Sequence, residues 1–135
     1  MRLELTKRGD YALRAVLALA RATHEERRSV RDVAIEHGIP IRFLAQIMTA
    51  LSQAGLVEAA LGRRGGYRLA KPAAAISLLE VVEAVEGDSR RRSCVLRGGP
   101  CAIIGVCDVH EAFAAAQEDV LHHLGETSVA DAIRR

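Results

Sequence analysis

Apolar residues recur at helical spacing over five stretches of the chain, and the period drops to two at only one place. Thr6 stands where a helix N-cap belongs. Beyond it Leu13, Val16, Leu17 and Ala20 fall at i, i+3, i+4 and i+7, one face of a long first helix. A polar run over 23–28 ends that helix. Ser29, with Asp32 three positions later, opens a short second helix through His37. Gly38-Ile39-Pro40 reads as a tight turn, with glycine for the stop and proline for the restart. A third helix, from about Ile41 to Ala54, should bury Leu44, Ile47, Met48 and Leu51 before Gly55 closes it. Leu56 to Ala59 then reads as a strand, Gly62 to Gly66 as a turn, and Tyr67 to Leu69 as the returning strand. Ser77 and Glu80 have capping-box spacing ahead of a helix with Leu78, Val81, Val82 and Val85 on its inner side. The segment from Gly87 to Pro100 reads as loop. A last long helix runs from Asp108, placed as its N-cap, to about Leu124, with Phe113, Ala116, Val120 and Leu124 on one stripe; Thr127 begins a short tail.

Helix, helix, glycine turn, helix and hairpin in this order describe a winged helix-turn-helix. The predicted fold class is mainly α with a small β-wing: a winged helix-turn-helix DNA-binding domain over 1–71, then a cysteine-bearing loop and a long C-terminal dimerisation helix over 72–135. Composition supports helices. Of 135 residues 50% are hydrophobic but only 3% aromatic, with no Trp, so Ala, Leu, Val and Ile must do the packing. No run of 18 apolar residues exists and the N-terminus lacks a signal-peptide core, so the expectation is a cytoplasmic protein without a membrane partner. There is no phosphate-binding Gly-Lys-Ser/Thr pattern and no dinucleotide glycine pattern. His24, His37, His122 and His123 have no Cys beside them, so an enzyme is not expected.

The net charge of +2 is unevenly distributed. Through Lys71 there are 13 basic and 7 acidic side chains, a net +6; from Pro72 onward there are 6 and 10, a net −4. A basic N-terminal half suits a polyanion. In a helix-turn-helix, the helix after the turn presents its first residues to base edges in the major groove. Here these are Pro40, Ile41, Arg42, Phe43 and Gln46. Arg42 and Gln46 lie one turn apart and can bond purine edges bidentately. Arg63 and Arg64, between glycines at the hairpin tip, are placed to reach phosphates or the minor groove. The expected partner is double-stranded DNA.

The three cysteines, Cys94, Cys101 and Cys107, lie within 14 positions, and His110 follows three residues after the last. An odd count without a secretion signal argues against a disulfide framework, and C-x-x-C is absent. The intervening Gly98, Gly99, Pro100 and Gly105 would let the loop wrap one soft metal centre. Zinc accepts three Cys and one His; an iron–sulfur cluster normally takes four protein ligands.

These segments together have a resemblance. Leu5-Thr6-Lys7 with Asp10-Tyr11-Ala12-Leu13-Arg14, then Ile39-Pro40-Ile41-Arg42-Phe43-Leu44, Gly65-Gly66-Tyr67-Arg68-Leu69, Ile76-Ser77-Leu78-Leu79-Glu80-Val81-Val82 and the three cysteines resemble the Rrf-two-type bacterial transcription regulators, the family of IscR, NsrR and RirA. The resemblance spans about Leu3 to Ala132. It implies a homodimer joined through the long C-terminal helices; the Phe113, Ala116, Val120 and Leu124 stripe points to the same dimer, and a dimer to a pseudo-palindromic operator. It also implies an iron–sulfur cluster on the cysteine loop that sets DNA affinity, most simply in a repressor sensing iron, redox state or nitric oxide. His110 matches the histidine ligand of two-iron IscR-type clusters, and Asp10 the aspartate that NsrR-type members supply to a four-iron cluster. Both stand as candidates, and zinc or a plain thiol switch is the alternative to a cluster. Where IscR-type recognition helices carry Ser and Glu, this chain has Pro40, Arg42 and Ala45.

Overall fold

A computed structural model describes residues 4–22, 26–60, 65–89 and 107–134. Six α-helices, one short 3-10 turn and one two-stranded sheet are present among them. Helix α1 (Lys7–Arg21) starts at Thr6, whose hydroxyl accepts from the Gly9 N–H at 3.1 Å. Its deepest residues are Ala12, Ala15, Val16, Ala18 and Leu19. The face predicted from Leu13, Val16, Leu17 and Ala20 is therefore displaced by roughly 100°, one residue's step around the helix. Leu13, Leu17 and Ala20 are half-buried against the same core. The alanines turn innermost because α1 is central, packed by four of the other helices and one strand of the sheet, and small side chains allow those backbones to come close.

Helix α2 (Val30–His37) is capped by the Ser29 hydroxyl and ends at Gly38, whose φ of 64° closes a Schellman-type turn onto Ala34 and Ile35. Helix α3 (Ile41–Gln53) follows Pro40 and buries Leu44, Ile47, Met48 and Leu51, as its pattern predicts. Each such burial contributes about 1.5–3 kcal/mol. Strands β1 (Val57–Ala60) and β2 (Gly66–Leu69) form an antiparallel hairpin, Val57 opposite Leu69 and Ala60 opposite Gly66. A third segment joins it: Arg28 and Tyr67 exchange both backbone hydrogen bonds, at 3.0 and 2.8 Å. The wing is thereby tied to the residue just ahead of α2, a pairing that no periodicity announced.

Beyond Pro72 come a 3-10 turn at Ala73–Ala75, helix α4 (Leu78–Glu86), helix α5 (His110–Glu126) and helix α6 (Val129–Ile133). The Ser77–Glu80 capping box forms in both directions, at 3.1 and 2.8 Å. Ile76, Val81 and Val129 belong to the same hydrophobic cluster as α1 and α3. Two differences from the sequence reading stand out. Helix α5 begins at His110 after Val109, without a side-chain cap, rather than at Asp108. The expected tail after Thr127 is a helix with its own capping box, Ser128 with Asp131, locked to the start of α4 by Leu78 N–H to Thr127 O and Val129 N–H to Ile76 O. Of α5 only Leu121 is buried; Phe113 and Leu124 are half-buried, Ala116 and Val120 exposed.

Candidate nucleic-acid interface

The turn between α2 and α3 presents the first residues of α3 outward. Pro40, Ile41, Arg42, Ala45 and Gln46 are exposed. Arg42 and Gln46 make no hydrogen bond or ion pair among the described residues, so both are free to engage a ligand. Phe43 is placed differently from its neighbours. It is half-buried, edge-on to Tyr11 with ring centroids 5.5 Å apart and planes at 83°, and the Arg8 guanidinium lies over its ring at 6.0 Å. Phe43 thus seats the start of α3 on α1. Arg8 also reaches the Val85 carbonyl at 3.4 Å, at the end of α4. Sequence reasoning missed Arg8; its one signal is the i, i+3 spacing to Tyr11, which does not reveal a partner 35 positions away.

Three other basic side chains in this half are paired with acids. Arg28 pairs with Glu36 and holds that carboxyl below the usual carboxylate range, chiefly through the hydrogen bond itself. Arg68 pairs with Glu58 across the hairpin, and Arg14 with Asp10 at 3.1 Å on one exposed face of α1. Arg63 and Arg64 lie outside the described residues; the ends flanking them, Ala60 and Gly66, are held in register. Gly66 must be glycine for a packing reason: a Cβ there would lie 2.8 Å from the Arg28 carbonyl oxygen.

Cys94 and Cys101 lie outside the described residues. Cys107 is half-buried at the foot of α5, its carbonyl accepting from the His110 N–H at 3.0 Å, and the His110 residue is exposed. Asp10 is on α1, engaged with Arg14. Among the described residues no three ligating side chains converge.

Residues 5–135 match the family described as Rrf2, iron-dependent transcriptional regulator. The chain is 33% identical over 130 residues to the HTH-type transcriptional regulator NsrR of Geobacillus kaustophilus, covering 96% of this chain and 88% of that one. It is 42% identical over 86 residues to the HTH-type transcriptional regulator IscR of Cereibacter sphaeroides, 62% of this chain and 56% of that one. In three dimensions it is similar to CymR, the global cysteine regulator of B. subtilis, with a TM-score of 0.81, 23% identity, and coverage of 96% and 95%.

Proposed function

Because the chain belongs to the Rrf2 family of DNA-binding transcriptional regulators, which are not enzymes, we propose that it is a regulator, most simply a repressor, whose operator affinity is set by an iron–sulfur cluster responding to iron, redox state or nitric oxide. One observation carries this reading: every cysteine of the chain falls in the segment joining α4 to α5, and Cys107 stands at the foot of α5. The donor set fits. Cys94, Cys101 and Cys107 would hold the cluster with either His110 or Asp10 as fourth ligand, three soft thiolates with one harder donor. A bound cluster supplies a reversible one-electron, iron- and nitric-oxide-sensitive centre.

The chain's own residues then account for the coupling. Gathering Cys94, Cys101 and Cys107 around one centre would draw the glycine-bearing segment together and fix where α5 starts. If α5 pairs with its copy through Phe113, Ala116, Val120 and Leu124, that fixes the spacing of two α3 helices, which must meet half-sites about one DNA turn apart on a pseudo-palindrome. Arg42 and Gln46 read bases, while Arg63 and Arg64 hold phosphates or the minor groove.

A second reading keeps the DNA contacts and places zinc on the same ligands, favoured by the Cys107 and His110 pair, since three Cys and one His are a tetrahedral zinc set. Anaerobic purification with visible absorbance, iron and acid-labile sulfide assays separates the two. A brown protein with iron and sulfide supports the cluster; a colourless chain with one zinc overturns it.

A further inference from the structure

We propose that Ile41 is a thymine-reading residue: its side chain packs on the 5-methyl group of a thymine beside the base engaged by Arg42. The proposal rests on α3 being the base-reading helix. Ile41 is the first residue of α3 and is 49% exposed, one of five large hydrophobic side chains left open among the described residues. Folding has no use for it there. The hydrophobic-staple positions around this helix start are filled by Ile39 and Leu44, both buried, and Phe43 makes the aromatic contact to Tyr11.

The outward face of α3 divides into two strips. Arg42 and Gln46, four apart, form a hydrogen-bonding strip; Ile41 and Ala45, also four apart, form an apolar strip beside it. Thr49, next along the face, spends its hydroxyl on the Ala45 carbonyl at 3.0 Å and so adds no further donor for bases. Major-groove edges offer one apolar group, the thymine methyl, alongside purine acceptors and donors. A paired polar and apolar strip at the start of a recognition helix fits that pattern. Isoleucine suits the task because its β-branch leaves χ1 nearly fixed, so little freedom is lost on contact.

The test uses the full chain, purified anaerobically, and a duplex obtained by repeated binding selection from a randomised library. Each thymine of that duplex is replaced in turn by deoxyuridine, which removes only the methyl. Wild type should lose about fourfold in affinity at one symmetric thymine position, the equivalent of one buried methyl at about 0.8 kcal/mol. Ile41→Ala should bind the thymine duplex correspondingly less well and lose nothing further on deoxyuridine substitution at that position. Ile35→Ala, which removes a 71%-exposed isoleucine on α2, should keep the wild-type methyl dependence. Ile41→Gln, a good helix former with no terminal methyl, keeps the proposal under test if Ile41→Ala unfolds, and should lose the methyl dependence likewise.

Equal losses for Ile41→Ala on thymine and deoxyuridine duplexes overturn the proposal, as does a wild type insensitive to every methyl. Failure of the underlying reading looks different: Arg42→Ala would then leave the ratio of selected to random duplex affinity unchanged.

Discussion

At Gly66 any side chain would place its first carbon 2.8 Å from the Arg28 carbonyl oxygen and 3.2 Å from the Ser29 nitrogen, backbone atoms that cannot swing aside. Gly66→Val should therefore cost about 1–3 kcal/mol by overpacking and should loosen the wing from α2, measurable by urea denaturation. Gly125 is the opposite case. Its nearest foreign atom is the Leu79 Cδ2 at 3.6 Å, an ordinary contact, and the residue is helical. Gly125→Ala should stabilise by up to about 0.8 kcal/mol in the same measurement. At the surface, Arg42 is unpaired among the described residues whereas Arg28 and Arg68 are not. Arg42→Ala should weaken a selected duplex by about 1–3 kcal/mol and random DNA much less. Arg63→Ala with Arg64→Ala should weaken all DNA and flatten the salt dependence by about one logarithmic unit per lost phosphate contact. Equal losses on both kinds of DNA for Arg42→Ala would remove it from base reading.

Among elements, α4 starts on a capping box closed in both directions. Ser77→Ala should cost about 1 kcal/mol by leaving the Glu80 N–H without its acceptor. The partner carboxylate carries a pH signature. Glu80 is held below its ordinary value, first by the Ser77 backbone N–H, with Lys71 at 3.4 Å adding to the effect. A lowered folded value means that the unfolded chain takes up the proton first. The stabilisation is thus complete above about pH 4.3, the ordinary glutamate value, and is lost as pH falls through the lower folded value. Glu36, lowered by Arg28, acts in the same direction. In thermal unfolding from pH 7 to 3, Glu80→Gln should reduce the acid-side slope without abolishing it, since Glu36 remains. The caps at Thr6, Ser29 and Ser77 were legible in the sequence because each is a contact within three residues. Asp108 was misjudged for the converse reason: local capping preference favours it over Val109, yet α5 starts after Val109 without a side-chain cap, against that preference.

For the whole molecule, the Phe113, Ala116, Val120 and Leu124 stripe, half-buried at its ends and exposed between, predicts a second copy as its cover. Sedimentation at micromolar concentration should give a dimer; a monomer in both the metal-loaded and metal-free forms would refute this. Substituting Cys94, Cys101 or Cys107 by Ala should destroy the visible spectrum and shift operator affinity by about 1–3 kcal/mol, an ordinary coupling size. Only one of Asp10→Ala and His110→Ala should alter the spectrum. Operator binding equal to wild type in all three cysteine variants, under anaerobic iron-replete conditions, would remove the loop from any switching role.

The helix-turn-helix, the hairpin, the capped start of α4 and the clustering of the cysteines were determined by the sequence alone, because caps, glycine turns and period-two alternation are set by near neighbours. Tertiary structure decided what depends on distant chain. It turned α1 onto its alanines, seated Phe43 between Tyr11 and Arg8, and joined Arg28 to Tyr67, contacts spanning 32 to 39 positions. It also made a helix of the last residues, since Val129 needs the groove beside Ile76 to be buried at all. Periodicity names an apolar face but not its partner, and where a helix is surrounded, the smallest side chains win the centre because only they admit the closest backbones.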